Sequence, residues 1–281
     1  MKSILIVGAG PAGMAAAIRA KQLNFSVTVI DIADENYEKT CGDGLTERAV
    51  SALKYIGISP EELVSAGANV IHSSLRLYPH GRHVMPHEDL SYFTLRRINL
   101  MHVLRYQAVS MGATIHYRTA YHPDIAEGAD FIIDASGCQW KQLASGMHYP
   151  MGMSSVIKAT SNLHTDTLYF VYPEDGHSRY GWAFPLSNGM WNIGVWDPDN
   201  PKNLQVLFDG FKERFLDRYL SDIVVVQPLR GAPLGTICPH TAIIPGAISC
   251  GDAAGLCDPH SGEGVSYALQ SGIELAESIP T

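Results

Sequence analysis

The segment Gly8-Ala9-Gly10-Pro11-Ala12-Gly13 constrains this chain more than any other feature. It follows the apolar run Ile4-Leu5-Ile6-Val7, as expected of a strand buried on both faces. An Ala-rich stretch over 11–23 comes next and reads as a helix. In the order strand, glycine triplet, helix, each glycine has its own role. Gly8 permits the tight turn, Gly10 leaves room for a pyrophosphate, and Gly13 lets the helix settle on the strand. The helix start at Pro11 and Ala12 offers free N–H groups and a partial positive charge to phosphates. A second strand over 26–30 ends at Asp31, close to the roughly 20-residue spacing of a ribose-binding carboxylate. An acid there, rather than an arginine, favours an unphosphorylated ribose diol. The expectation is an α/β fold that holds a dinucleotide.

Bulk properties narrow the class. The chain has 281 residues, 46% hydrophobic and 17% charged, ordinary values for a globular protein with a sizeable core. A net charge of −8 argues against a nucleic-acid partner, which needs clustered Lys and Arg. The five cysteines (Cys41, Cys138, Cys238, Cys250 and Cys257) are odd in number and contain no C-x-x-C pair. A disulfide framework or zinc site is therefore not expected, and a reducing, cytoplasmic setting is. Lys2 and the apolar residues after it mimic a secretory leader, but the glycines fall where a nucleotide turn needs them. No apolar run is long enough to span a bilayer. Contact with a membrane surface stays open, without a basic amphipathic stretch to suggest it. His80, His83 and His87 surround a hairpin turn at Pro79-His80-Gly81-Arg82, so they read as solvated turn residues and no metal is expected.

The far end of the chain selects the dinucleotide. A short strand-like run over 247–250 leads into Gly251-Asp252-Ala253-Ala254-Gly255, and Gly262-Glu263-Gly264 opens a helix running to about 277. This resembles the second FAD fingerprint of the p-hydroxybenzoate hydroxylase-like flavoproteins. The resemblance implies that Asp252 binds the ribityl chain and that the following helix points at the pyrimidine side of the flavin. His260, in the intervening loop, is a further candidate to reach the flavin. Arg97-Ile98-Asn99-Leu100, leading a helix to about 111, resembles the arginine-led helix of that family, although Met101 stands where many relatives carry Asp. Asp134-Ala135-Ser136-Gly137 resembles the turn that closes the nucleotide-binding domain.

Two motifs point inside the family. Lys39-Thr40-Cys41-Gly42-Asp43-Gly44-Leu45 resembles the K-x-C-G-x-G-L signature of the geranylgeranyl reductase branch, and Tyr180-Gly181-Trp182-Ala183-Phe184-Pro185 resembles its Y-x-W-x-F-P motif. Gly42 and Gly44 would let a loop pass close to the flavin ring. Tyr180 and Trp182 fall on one face of a predicted strand and would form a flat aromatic wall, or simply one face of a sandwiched sheet. Cys41 is the candidate to position substrate or relay a proton.

The resulting expectation is a Rossmann-type FAD-binding domain from residues 1–70, 97–149 and 240–281, α+β overall. It is interleaved with an antiparallel-sheet substrate domain from 71–96 and 150–239. Strands over 168–172, 180–186 and 190–195, with a hairpin at Asn188-Gly189, belong to the second domain, and a helix over 203–219 covers it.

The resemblance implies hydride transfer between FAD and a small or isoprenoid-like substrate, at a carbon or C–N bond. Two alternatives are kept: an FAD monooxygenase acting through a C4a hydroperoxide, and a flavin-binding protein without turnover. No W-x-W-x-I-P segment supports a halogenase. No second nucleotide fingerprint appears, so NAD(P)H or another protein is the expected electron donor, and a redox or biosynthetic partner protein is expected. Larger members continue into a helical extension that encloses a prenyl chain. The sequence ends at Thr281, so either a less buried substrate or a covering partner is expected.

Overall fold

A computed structural model describes residues 1–138, 150–173, 179–199, 201–237 and 244–280. Its first layer is a five-stranded sheet, parallel throughout, with Ser3–Val7 at the centre. Ser26–Ile30 and Thr114–His116 lie to one side, Phe131–Asp134 and Ile248–Ser249 to the other. Ile4, Leu5, Ile6 and Val7 are all buried because helices and loops cover both faces, which explains the unbroken apolar run. The helix Pro11–Gln22 is rich in alanine for a packing reason. Ala12, Ala15, Ala16, Ala17 and Ala20 are buried in the core that it shares with the sheet and the helix Val265–Ser278. At the crossing of the two helices, a Cβ on Gly272 would overlap the Ala12 carbonyl oxygen. The last helix is thereby locked against the first, and both fingerprints arrive at the same place.

The second layer is a seven-stranded sheet built from 73–86 and 151–233. Its strands run in the spatial order Leu220–Pro233, Met151–Ser161, Met190–Asp197, Tyr180–Pro185, Thr167–Val171, Ser73–Tyr78, Gly81–Pro86. All pairings are antiparallel except Thr167–Val171 with Ser73–Tyr78. One face is covered by the helix Leu204–Phe211, which continues through a π turn to Tyr219. Phe208, Phe211 and Phe215 pack there on Ala183, Trp191 and Val195. The opposite face carries Trp182, Phe184, Leu168 and Trp196. Period-two alternation along Tyr180–Pro185 sends Gly181 and Ala183 to the helix side. A Cβ on Gly181 would stand 2.5 Å from the Phe211 ring.

A small antiparallel sheet, Gly44–Leu45 with Phe93–Thr94 and Asn69–Val70, joins the layers. Thr94 Oγ1 donates to the Pro185 carbonyl and Asn69 Nδ2 to the Thr165 carbonyl. The strands Met151–Ser161 and Leu220–Pro233 were not foreseen from the sequence. The latter is largely exposed and holds Pro228 and Pro233, which an edge strand tolerates because one side needs no ladder. One histidine of the three also departs from expectation. His80 and His83 are exposed, but His87 is half-buried, bonds Ser74 Oγ through Nε2 at 2.7 Å and stacks on Tyr92. Burial lowers the His87 pKa from its usual value. Among the described residues no group of His, Cys, Asp and Glu is arranged to hold a metal, and no helix is long and apolar enough to cross a membrane.

Candidate functional site

The three glycines of the first fingerprint separate by cause. Gly8 sits at φ +112°, and a Cβ there would overlap the Ala135 carbonyl oxygen. A Cβ on Gly13 would overlap the Gly8 carbonyl oxygen. Both positions are therefore glycine because the protein itself fills the space, and Ala135 of the Asp134-to-Gly137 turn supplies part of that packing. A Cβ on Gly10, the N-cap of the first helix, meets no heavy atom within 4 Å. Nothing in the protein requires glycine there, and the backbone is open to a group that approaches from outside. Asp31 is engaged by the same loop. Its Oδ2 accepts from Ala9 N at 2.6 Å and its Oδ1 from Ala33 N at 2.8 Å. The carboxylate thus braces the cradle first, leaving further lone pairs for a ribose.

The second fingerprint packs directly onto the first. Gly251, at φ +58°, would place a Cβ 2.9 Å from that of Ala12. Asp252 accepts a 2.7 Å ion pair from Lys39 Nζ. Lost hydration around the ammonium works against its charge, but the Asp252 carboxylate, Cys138 and the hydrogen bond outweigh it, so the Lys39 pKa is raised. Gly264 caps the helix Val265–Ser278, and a Cβ on it would lie 3.3 Å from Asp252 Oδ1. The helix N-terminus, Asp252 and Lys39 therefore converge. Gly262, at φ +70°, turns the loop beside Trp196. His260 is exposed, its backbone N–H donating to Asp258 Oδ1.

The 39–45 loop crosses between the layers. Cys41 is half-exposed, and Arg97 Nη2 donates to its sulfur at 2.6 Å. Arg97 opens the helix Arg97–Ser110 and is 7% exposed, and its backbone N–H donates to Asp43 Oδ1 at 2.9 Å. Its Nε is buried without a hydrogen-bond partner among the described residues. The Nε atoms of Arg76, Arg96 and Arg105 are in the same state, so a polar ligand atom at Arg97 is compatible with this orphaned group but not required by it. Met101, the departure from the arginine-helix motif, is buried in the main core. Asp43 takes the left-handed conformation at φ +62° and is 4% exposed. Burial raises its pKa to about 6, against the opposing pull of Asn192 and Arg97.

Two expectations need correction here. Leu45 is 2% exposed and belongs to the main core, so its side chain anchors the loop instead of lining a ligand site. The aromatic wall is not flat: the Tyr180 and Trp182 rings meet at 58° and those of Trp182 and Phe184 at 35°. Trp182 and Phe184 are buried, and a Cβ on Gly42 would sit 3.5 Å from each. The wall thus backs the 39–45 loop, and Gly42 and Gly44 bring that loop's backbone onto the rings. Trp182 has its own space because a Cβ on Gly194 would overlap it. Tyr180 is also tied down: its hydroxyl donates to the Ser261 carbonyl at 2.5 Å, joining the sheet to the loop before the last helix.

Sequence reasoning missed two residues. Asn192 donates to the Cys41 carbonyl (2.7 Å) and to Asp43 Oδ2 (2.8 Å), and accepts from Trp182 Nε1 (2.9 Å). Glu263 accepts from Thr46 Oγ1 (2.6 Å) and Ser266 Oγ (2.5 Å), coupling the N-cap of the helix Glu47–Tyr55 to the start of the last helix. An Asn in a strand flanked by apolar residues was the available signal for the first. Of the cysteines, Cys138, Cys250 and Cys257 are buried, and burial is the leading cause that raises the Cys257 pKa. Cys238 lies outside the described residues.

An open Gly10, a helix N-terminus above it, a second helix start beside Asp252 and an orphaned Arg97 Nε fit one extended, anionic dinucleotide. Together with the parallel sheet they define an FAD-dependent oxidoreductase. Known proteins agree with this assignment. Residues 2–73 match the family model "Pyridine nucleotide-disulphide oxidoreductase". The chain is 28% identical to menaquinone reductase of Mycobacterium tuberculosis, over 98% of this chain and 76% of that protein. It is 24% identical to digeranylgeranylglycerophospholipid reductase of Methanothrix thermoacetophila, over 98% and 77%. A geranylgeranyl bacteriochlorophyll reductase-like protein of Thermoplasma acidophilum shares the fold, with TM-score 0.78, 22% identity and coverage of 99% and 78%. Within that class the chain is similar to the geranylgeranyl reductases.

Proposed function

We propose that this protein saturates a carbon–carbon double bond in an isoprenoid-type substrate. When bound and reduced by its electron donor, FAD would supply a hydride from N5 to one alkene carbon. The other carbon must take a proton, so the C=C π bond becomes two C–H bonds. The residues that carry this reading are Cys41 and Arg97. Cys41 Sγ holds a transferable proton at a half-exposed position, and Arg97 Nη2, already on the sulfur, stabilises the thiolate left when that proton moves to carbon. Solvent then restores the thiol.

The remaining chain binds and orients. Gly10 and the first helix start would hold the pyrophosphate, Asp31 a ribose, and Asp252 with the last helix start the ribityl and pyrimidine end. Trp182 and Phe184 exclude water behind the 39–45 loop. The names of the relatives suggest two probes, menaquinone and digeranylgeranylglycerophospholipid. The electron donor would be NAD(P)H or a redox partner protein.

The test uses FAD-loaded protein, reduced anaerobically with dithionite and mixed with either lipid. The expected result is reoxidation of the flavin matched by the gain of two hydrogens per lipid molecule, read by mass spectrometry. If reduced flavin persists with both lipids and reacts only with oxygen, coupled to oxygen insertion into an aromatic substrate, the reductase reading is wrong and a monooxygenase replaces it.

A further inference from the structure

The 39–45 loop carries the proposed proton donor, and within it the Asp43 N–H donates to the Cys41 sulfur at 3.3 Å; the loop backbone is braced from outside. The brace comes from the other layer. Asn192 lies on the strand Met190–Asp197, is 1% exposed and stands 151 residues from Cys41 in sequence. Its orientation is unambiguous. An indole N–H only donates, so the oxygen of the carboxamide must face Trp182, and the NH2 must face the Cys41 carbonyl and the Asp43 carboxylate. Ser154 Oγ, on the neighbouring strand, donates to the same Cys41 carbonyl at 3.2 Å. Asp43 passes the contact on, since its other oxygen accepts from the Arg97 backbone and its carbonyl from Leu95 N. Arg97 in turn reaches the Cys41 sulfur.

We infer that Asn192 is a positioning residue that sets the place of the Cys41 thiol by joining Trp182 to the 39–45 loop. A buried carboxamide is unfavourable at a position where an apolar side chain would pack, unless its polar atoms are used. Here three of its four hydrogen-bonding positions are filled, two by the 39–45 loop and one by Trp182. The same bonds give the aromatic motif a second role, because Trp182 orients the amide that orients the loop. The inference rests on the proposed work of Cys41, but the position of the thiol can be measured without turnover.

The experiment follows iodoacetamide labelling of Cys41 by peptide mass spectrometry, against the buried Cys250 in the same molecule. It is run with and without FAD in the wild-type protein, Asn192→Leu, Trp182→Phe and the double variant. Asn192→Leu should raise the Cys41-to-Cys250 labelling ratio about tenfold in the FAD-free protein, the opening expected when about one net hydrogen bond is released locally. Trp182→Phe keeps the ring and removes only the N–H; it should raise the ratio less. The double variant should match Asn192→Leu, because both act through one chain of bonds. An unchanged ratio overturns the inference, and so does a rise of both thiols together, which reports general loosening. Should Asn192→Leu not fold, an unchanged ratio in Trp182→Phe is sufficient to overturn it. The FAD arm separates the two readings. If FAD does not protect Cys41 in the wild-type protein, the placement of Cys41 beside the flavin fails, while the role of Asn192 is still judged on the FAD-free ratio.

Discussion

Gly10 offers the sharpest test of the cradle, because the structure separates its cause from those of Gly8 and Gly13. A Cβ at Gly10 enters space with no heavy atom within 4 Å. The backbone, at φ −77° and ψ −175°, is one that any L-residue adopts. Gly10→Val therefore costs the FAD-free protein only the difference in N-cap preference, about 1 kcal/mol. Binding is another matter, since the side chain occupies the approach of the pyrophosphate. At FAD one hundred times its Kd, the wild-type protein gains about 2.7 kcal/mol by mass action. For a chain of this size, each kcal/mol moves Tm by about 2–4 °C, so FAD should raise Tm by roughly 5–10 °C. Thermal melts of stripped protein, with and without added FAD, read both numbers. The variant should melt within a few degrees of wild type when stripped and show almost no FAD shift. A full FAD shift in Gly10→Val would refute the passage of the pyrophosphate over this residue. A large loss in the stripped protein would show that packing, not a ligand, requires the glycine.

Three further outcomes are expected. Asp43 has a folded pKa of about 6 against an ordinary 3.8, so the folded state holds its proton more tightly and stability falls as pH rises from about 4 through about 6. The difference corresponds to roughly 3 kcal/mol; urea melts of Asp43→Asn should lack this slope, and an identical pH profile would contradict it. Cys41→Ala should retain FAD while alkene reduction slows about a hundredfold or more; unchanged turnover would return Cys41 to a structural role. Gly194→Ala forces a carbon into the Trp182 ring and should destabilise by about 1–3 kcal/mol, measured by denaturant unfolding. A neutral result there would mean that the ring has another resting place.

The nucleotide cradle was legible in the amino-acid sequence alone. Its requirements are local: a strand buried on both faces, a turn that needs glycine at Gly8, a helix start at Pro11 and an acid at the end of the next strand, all within about 30 residues. The second fingerprint was legible through its resemblance to a known family pattern, although Gly251 and Asp252 meet Ala12 and Lys39 from the far end of the chain. Period-two spacing likewise placed Tyr180, Trp182 and Phe184 on one face. What that face meets was not legible. Trp182 backs the 39–45 loop because strand register sets it over Gly194 and beside Asn192. Leu45 proved to be core because the small sheet turns its side chain inward. The edge strand Leu220–Pro233 escaped detection because its exposed apolar residues and two prolines break the pattern of a half-buried strand. Tertiary structure alone brought Arg97 onto Cys41, Lys39 onto Asp252 and Asn192 onto both Cys41 and Asp43. Each of those contacts joins segments far apart in the chain, and its geometry depends on how two layers are packed, for which no local spacing carries a signal.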